Sequence, residues 1–140
     1  MERLKPELLA CLGEEGLKLH EMMKEHTTFR VGGAADYFIQ PKSAEELRAA
    51  FEILHRYEMP VLVIGNGSNL LVRDKGIRGA VIQIYNRMAE ITIEGNTIHT
   101  KGGALLSAVA ARAADKGLTG LEFASGIPCS IGGAVVMNAG

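Results

Sequence analysis

The segment DYFIQPKSAEELRAAFEILHRYEMPVLVIG, residues 36–65, leaves the backbone few choices. Residues 36–40 are apolar at Tyr37, Phe38 and Ile39 and read as a strand, which Pro41 ends. Ser43 and Glu46 stand at capping-box spacing, with Ser43 accepting from the amide three residues on and Glu46 reaching back. Leu47, Ala50, Phe51 and Leu54 recur at helical spacing, which predicts a helix over 44–57 with one buried face. Pro60 marks its exit. Residues 61–64 are β-branched and apolar enough for a buried strand. Strand, helix and strand make a βαβ unit, expected to cross over right-handed.

Around this unit the pattern changes. Residues 5–16 predict a short amphipathic helix ending near Gly13 or Gly16, and 80–84 another strand. Residues 90–94 and 97–100 alternate on either side of Gly95-Asn96, a β-hairpin with a two-residue primed turn. An alanine-rich helix over 105–116 closes on Gly117, and Ser130 is placed to cap a short helix over 131–137. A parallel first half followed by an antiparallel second half gives an α+β chain of two lobes, with a seam at 84–88. The boundaries expected are a lead-in over 1–25, a first lobe over 26–86 and a second over 87–140.

At 140 residues the chain fits one ordinary domain of about 100–200 residues. Its 15 basic and 16 acidic residues form no like-charge block, so neither nucleic acid nor a membrane surface is an expected partner. The start carries acidic residues and no long apolar run, unlike a signal peptide, and no stretch reaches the ~20 apolar residues of a membrane span. A cytoplasmic protein is expected. Cys11 and Cys129 read as free thiols, and no metal site is expected.

Glycine is unevenly used: only Gly13, Gly16, Gly32 and Gly33 precede residue 65. Three segments stand out: Arg30-Val31-Gly32-Gly33, Gly65-Asn66-Gly67-Ser68-Asn69, and Gly126-Ile127-Pro128-Cys129-Ser130-Ile131-Gly132-Gly133. Successive amides in such turns form anion-binding nests, and a helix N-terminus adds its dipole. Two loops, one per lobe, would clamp a diphosphate between them, and a side chain at Gly67 would push it off the amides. Ordinary tight turns remain the alternative for any one of them. Position 70 is Leu where a G-x-G-x-x-G needs its third glycine, and Gly-Lys-Ser/Thr is absent, which disfavours a Rossmann site and a P-loop. His55 and His99 read as surface residues, His20 and His26 have no evident partner, and no nucleophile–base set assembles.

The motifs HTTFRVGGAA at 26–35, GNGSNLL at 65–71, SGIPCSIGGA at 125–134 and MNAG at 137–140 together resemble the UDP-N-acetylenolpyruvoylglucosamine reductase (MurB-type) family, in order and spacing, across residues 26–140. The resemblance implies the two-lobed FAD-binding fold of the vanillyl-alcohol-oxidase (PCMH) type and a flavoenzyme of peptidoglycan precursor synthesis. NADPH would reduce the flavin, which would reduce UDP-N-acetylglucosamine enolpyruvate to UDP-N-acetylmuramate. The implied FAD contacts are Arg30, Gly65, Asn66, Gly67, Ser68, Asn69, Leu70, Gly126, Ile127, Ser130, Gly132, Gly133 and Asn138, with GNGSNLL as the pyrophosphate loop.

The family's active-site arginine, serine proton donor and acidic residue follow the last motif. The chain is therefore expected to be an N-terminal fragment with the second lobe incomplete, the substrate domain absent, no catalytic residue and no turnover alone. Cys129 stands where the family usually has glycine, and Val136 where an aromatic is common. Another FAD-linked oxidase of the same fold, or a non-catalytic nucleotide-binding module, stays open as an alternative.

Overall fold

The computed structural model describes residues 1–139, so Gly140, the last residue of the terminal motif, lies outside the described residues. A four-stranded mixed sheet forms the first lobe, from β1 (Leu17–Met22), β2 (Ala34–Ile39), β3 (Val61–Ile64) and β4 (Ile77–Gln83). Its order is β1-β2-β4-β3, with β4 inserted between the two strands of the βαβ unit. The strands β2, β4 and β3 run parallel, and β1 pairs antiparallel with β2.

Period-two alternation sends the side chains of β2 and β4 to two cores. Ile39, Ala80 and Ile82 face α1 (Leu4–Gly16) and α2 (Ala44–Arg56), where Leu4, Leu8, Leu12, Ala50 and Leu54 are buried. Phe38 and Val81 face the opposite way, onto Met23 and Val72. The N-terminal helix continues to Gly16 across a break at Gly13, which takes φ 71°. Ser43 Oγ accepts the Glu46 amide at 3.1 Å as expected, whereas Glu46 Oε2 accepts from Lys42 N–H at 2.9 Å, one residue before the cap.

The sheet departs from the sequence expectations in three places. Leu17–Met22 is an additional strand, and its Leu17-Lys18-Leu19-His20 alternates apolar and polar as a half-buried strand does. Phe51 is exposed, and Ile53 takes its place on the buried face of α2. The third correction concerns β3, which lies at the sheet edge with Leu62 and Val63 exposed at 38% and 47%. An apolar run of four cannot tell a central strand from an edge; the central, buried place goes to β4.

Beyond the seam, β5 (Ile91–Glu94) and β6 (Thr97–Thr100) form the expected hairpin. Gly95 at φ 58° opens the turn, the position at which a II′ turn calls for glycine. The helix α3 (Leu106–Asp115) ends in a Schellman motif: Gly117, at φ 72°, donates to Ala114 O, and Leu118 N–H to Ala113 O, each at 2.9 Å. A last helix, α4 (Ile131–Met137), starts at Ser130, and no residue of it is buried. Buried Leu106, Ala110 and Ala124, with Ile127 and Cys129 against them, make a third, smaller core.

Candidate functional site

The loop that leaves β3 and the loop that enters α4 face each other across a cleft of about 560 Å³. It opens at the carboxyl ends of β3 and β4, where chain leaving parallel strands exposes backbone polar groups. Its volume falls within the roughly 300–1,000 Å³ of small-molecule sites.

The glycine loop is seated on the chain just before β2. Thr28 N–H donates to Gly67 O at 3.2 Å. Gly67 takes φ 74°, and a Cβ there would overlap the His26 carbonyl oxygen. Glycine at 67 is thus already required by the protein's own backbone, before any ligand is considered. His26, which has no evident partner in the sequence, stacks on Phe38 with ring centroids 4.1 Å apart. Its Nε2 lies 2.9 Å from Glu21 Oε1. Burial pushes the Glu21 carboxyl up, but the His26 hydrogen bond and Lys18 more than offset it and hold it below the usual carboxylate range. Thr27, buried, closes the turn by donating from Oγ1 to Val31 O at 3.2 Å.

The backbone amides divide sharply. Those of Asn66, Gly67, Ser68 and Asn69 donate to no acceptor among the described residues. Those opening α4 are spent. Ile131 N–H donates to Ala104 O and Gly132 N–H to Gly102 O, each at 2.8 Å, and Gly133 N–H to Ser130 Oγ at 3.2 Å. The helix N-terminus expected to add to the anion site at 126–133 therefore brings no free amide from its first three residues. Ser130 itself pairs with Leu105 in a bridge flanked by hydrogen bonds, so its own N–H points away from Leu105 and has no acceptor among the described residues. The Arg30–Gly33 segment likewise serves the fold: Gly33 N–H donates to Arg73 O at 2.9 Å, and a Cβ on Gly33 would overlap Asp74 O.

Of the residues expected at the site, Gly65, Asn66, Gly67, Ser68, Asn69, Leu70, Ile127, Ser130, Gly132 and Gly133 line the cleft. Arg30, Gly126 and Asn138 do not. Arg30 sits on an exposed turn at φ 55°, and Asn138 ends α4 in the left-handed region at φ 50°. Sequence reasoning missed the apolar wall of Leu62, Val63, Ile84, Val136 and Met137. Edge placement of β3 was the signal needed for it, and that is a property of the whole sheet. Cys129 also lines the cleft, and it keeps out of positive φ, so cysteine is accommodated where the resembling family has glycine.

No lining residue carries a formal charge at neutral pH, and among the described residues no three His, Cys, Asp or Glu side chains gather as metal ligands. An anion here would be held by neutral N–H groups, while the facing wall suits an apolar, uncharged portion of the same ligand. No carboxylate, imidazole or amine lies in the lining, whose polar side chains are Asn66, Ser68, Asn69 and Ser130, with the Cys129 thiol beside them.

Known proteins resemble this chain in sequence and in fold. The chain is 48% identical over 139 residues to the UDP-N-acetylenolpyruvoylglucosamine reductase of Alkaliphilus metalliredigens, spanning 99% of this chain and 46% of that relative. It therefore covers about half the length of such relatives. The crystal structure of UDP-N-acetylenolpyruvylglucosamine reductase (MurB) from Thermus caldophilus superposes with a TM-score of 0.71 at 38% identity, over 89% of this chain and 43% of that one. p-Cresol methylhydroxylase shares the fold alone, at a TM-score of 0.65 and 16% identity over 84% of this chain and 25% of its own. The α+β, two-lobed FAD-binding fold expected from the motifs agrees with these likenesses. A family model described as "FAD binding domain" matches residues 35–140, which contain both cleft loops and the seam between them, so the chain belongs to the FAD binding domain family.

Proposed function

We propose that this chain holds the FAD of a UDP-N-acetylenolpyruvoylglucosamine reductase, in a cytoplasmic step of peptidoglycan precursor synthesis. The carrying observation is the run of free amides at Asn66–Asn69, set against an apolar wall at the carboxyl ends of parallel strands. Those amides and the Ser130 N–H would take the pyrophosphate. Small residues at 65, 67, 132 and 133 leave room for it, and Leu62, Val63, Ile84, Val136 and Met137 would shelter an uncharged ring. Bound FAD supplies hydride chemistry, with NADPH as reductant and UDP-N-acetylglucosamine enolpyruvate as acceptor. The groups that stabilise charge and deliver a proton in that reduction would belong to the part of the relatives this chain does not span. The similarity to reductases over nearly the whole chain supports this reading.

Visible spectra recorded with FAD, with FMN and without flavin test it. FAD should bind with a perturbed flavin band, and FMN, which has a single phosphate and no adenosine, should bind more weakly. Equal affinity for the two flavins would remove the pyrophosphate from the amide row. In full-length protein, NADPH consumption should match formation of UDP-N-acetylmuramate under anaerobic conditions. NADPH oxidation without substrate reduction would overturn the reductase assignment.

A further inference from the structure

The two walls of the cleft are held unequally. On its outer side the Cys129–Gly132 loop is bonded to its own lobe: Leu106 N–H donates to Cys129 O at 2.9 Å, and Ile131 and Gly132 N–H donate to Ala104 O and Gly102 O, each at 2.8 Å. On the inner side a single hydrogen bond crosses to the glycine loop among the described residues. Asn66 Nδ2 donates to Pro128 O at 3.3 Å. Gly65 also packs against Ser130 Oγ, without a hydrogen bond. The Pro128 carbonyl is a pre-set acceptor, because the ring fixes φ and Cys129 N–H closes the turn onto Ile127 O at 3.0 Å.

We propose that Asn66 is a positioning residue, whose side-chain amide sets the width of the cleft by tying the glycine loop to the 127–133 loop. The backbone N–H of Asn66 stays available to a ligand while this side-chain N–H is spent on the opposite lobe. The tie matters because the free amides of Asn66–Asn69 lie on one wall while the Ser130 N–H, Val136 and Met137 lie on the other. A ligand that must touch both gains from a separation fixed in advance. The ligand half of this inference rests on the reading of the cleft as an FAD site.

Asn66→Ala and Asn66→Asp in the full-length protein test it, the second keeping the size of the side chain but replacing the donor by carboxylate oxygens at neutral pH. Without flavin, amide hydrogen exchange over residues 127–133 should quicken about 3- to 10-fold in both variants, the range expected for one net hydrogen bond. Exchange in β2 and α3 should stay as in the parent. Unchanged exchange over 127–133, or an equal rise in every segment, would overturn the tie, since a residue acting only on the ligand or on overall stability gives one of those results. Both variants should also weaken FAD binding about 3- to 10-fold. A loosened loop with unaltered FAD affinity would refute the claim that Asn66 sets the cleft. If the parent binds no FAD, the ligand reading fails, and the flavin-free exchange still decides the tie.

Discussion

Gly65→Ala should be destabilising by itself and largely rescued by Ser130→Ala. Gly65 has no positive φ to protect, so only space is at issue. An added Cβ would overlap Ser130 Oγ, while Ser130 Cβ would stand 3.4 Å away. Ser130 is 1% exposed and its Oγ caps α4 through Gly133 N–H, so it cannot swing aside without giving up the cap. Losing the cap costs about 1 kcal/mol. The overpacking adds about 1–3 kcal/mol. Gly65→Ala should therefore cost about 2–4 kcal/mol, and Ser130→Ala about 1 kcal/mol. In the double variant the clashing oxygen is gone, the two Cβ atoms meet at an ordinary contact distance, and the cap is lost once. Its cost should fall short of the sum of the singles by about 2–4 kcal/mol. Urea unfolding at 25 °C without flavin, followed by far-UV circular dichroism, measures all four proteins. Additivity within about 0.5 kcal/mol would refute the contact between the two loops and, with it, the closeness of the two lobes at the cleft.

Gly67→Ala should lose more than about 1–2 kcal/mol even without flavin, because a left-handed φ and the overlap with the His26 carbonyl act together; a variant as stable as the parent by urea unfolding would show that the loop's glycine answers to something other than the backbone. Glu21 gives a pH dependence with a defined sign. Its folded carboxyl titrates below the ordinary 4.5, so the stabilisation is fully present above that value and is lost as pH falls through the folded one. The melting-temperature gap between the parent and Glu21→Gln should therefore be constant above pH about 5 and close in more acidic buffer; a gap that widens with acid would reverse the assignment.

Local chemistry makes much of this chain legible from its residues alone. Ser43 capping α2, Gly95 turning the hairpin, Gly117 ending α3 and Ser130 starting α4 are each decided within four or five residues of backbone, where hydrogen-bonding and φ preferences act unaided. The motif GNGSNLL is equally readable as a loop rich in amides and poor in bulk. What the sequence leaves open depends on contacts far apart along the chain. Strand order places β4 in the centre and β3 at the edge, turning Leu62 and Val63 from expected core into the wall of a cleft. Pairing with residues 102–104 consumes the amides that the start of α4 would otherwise offer. Contact with the His26 carbonyl makes glycine at position 67 necessary whether or not a ligand is bound. A residue type states which groups are available; only the packed fold decides which of them the protein has already used.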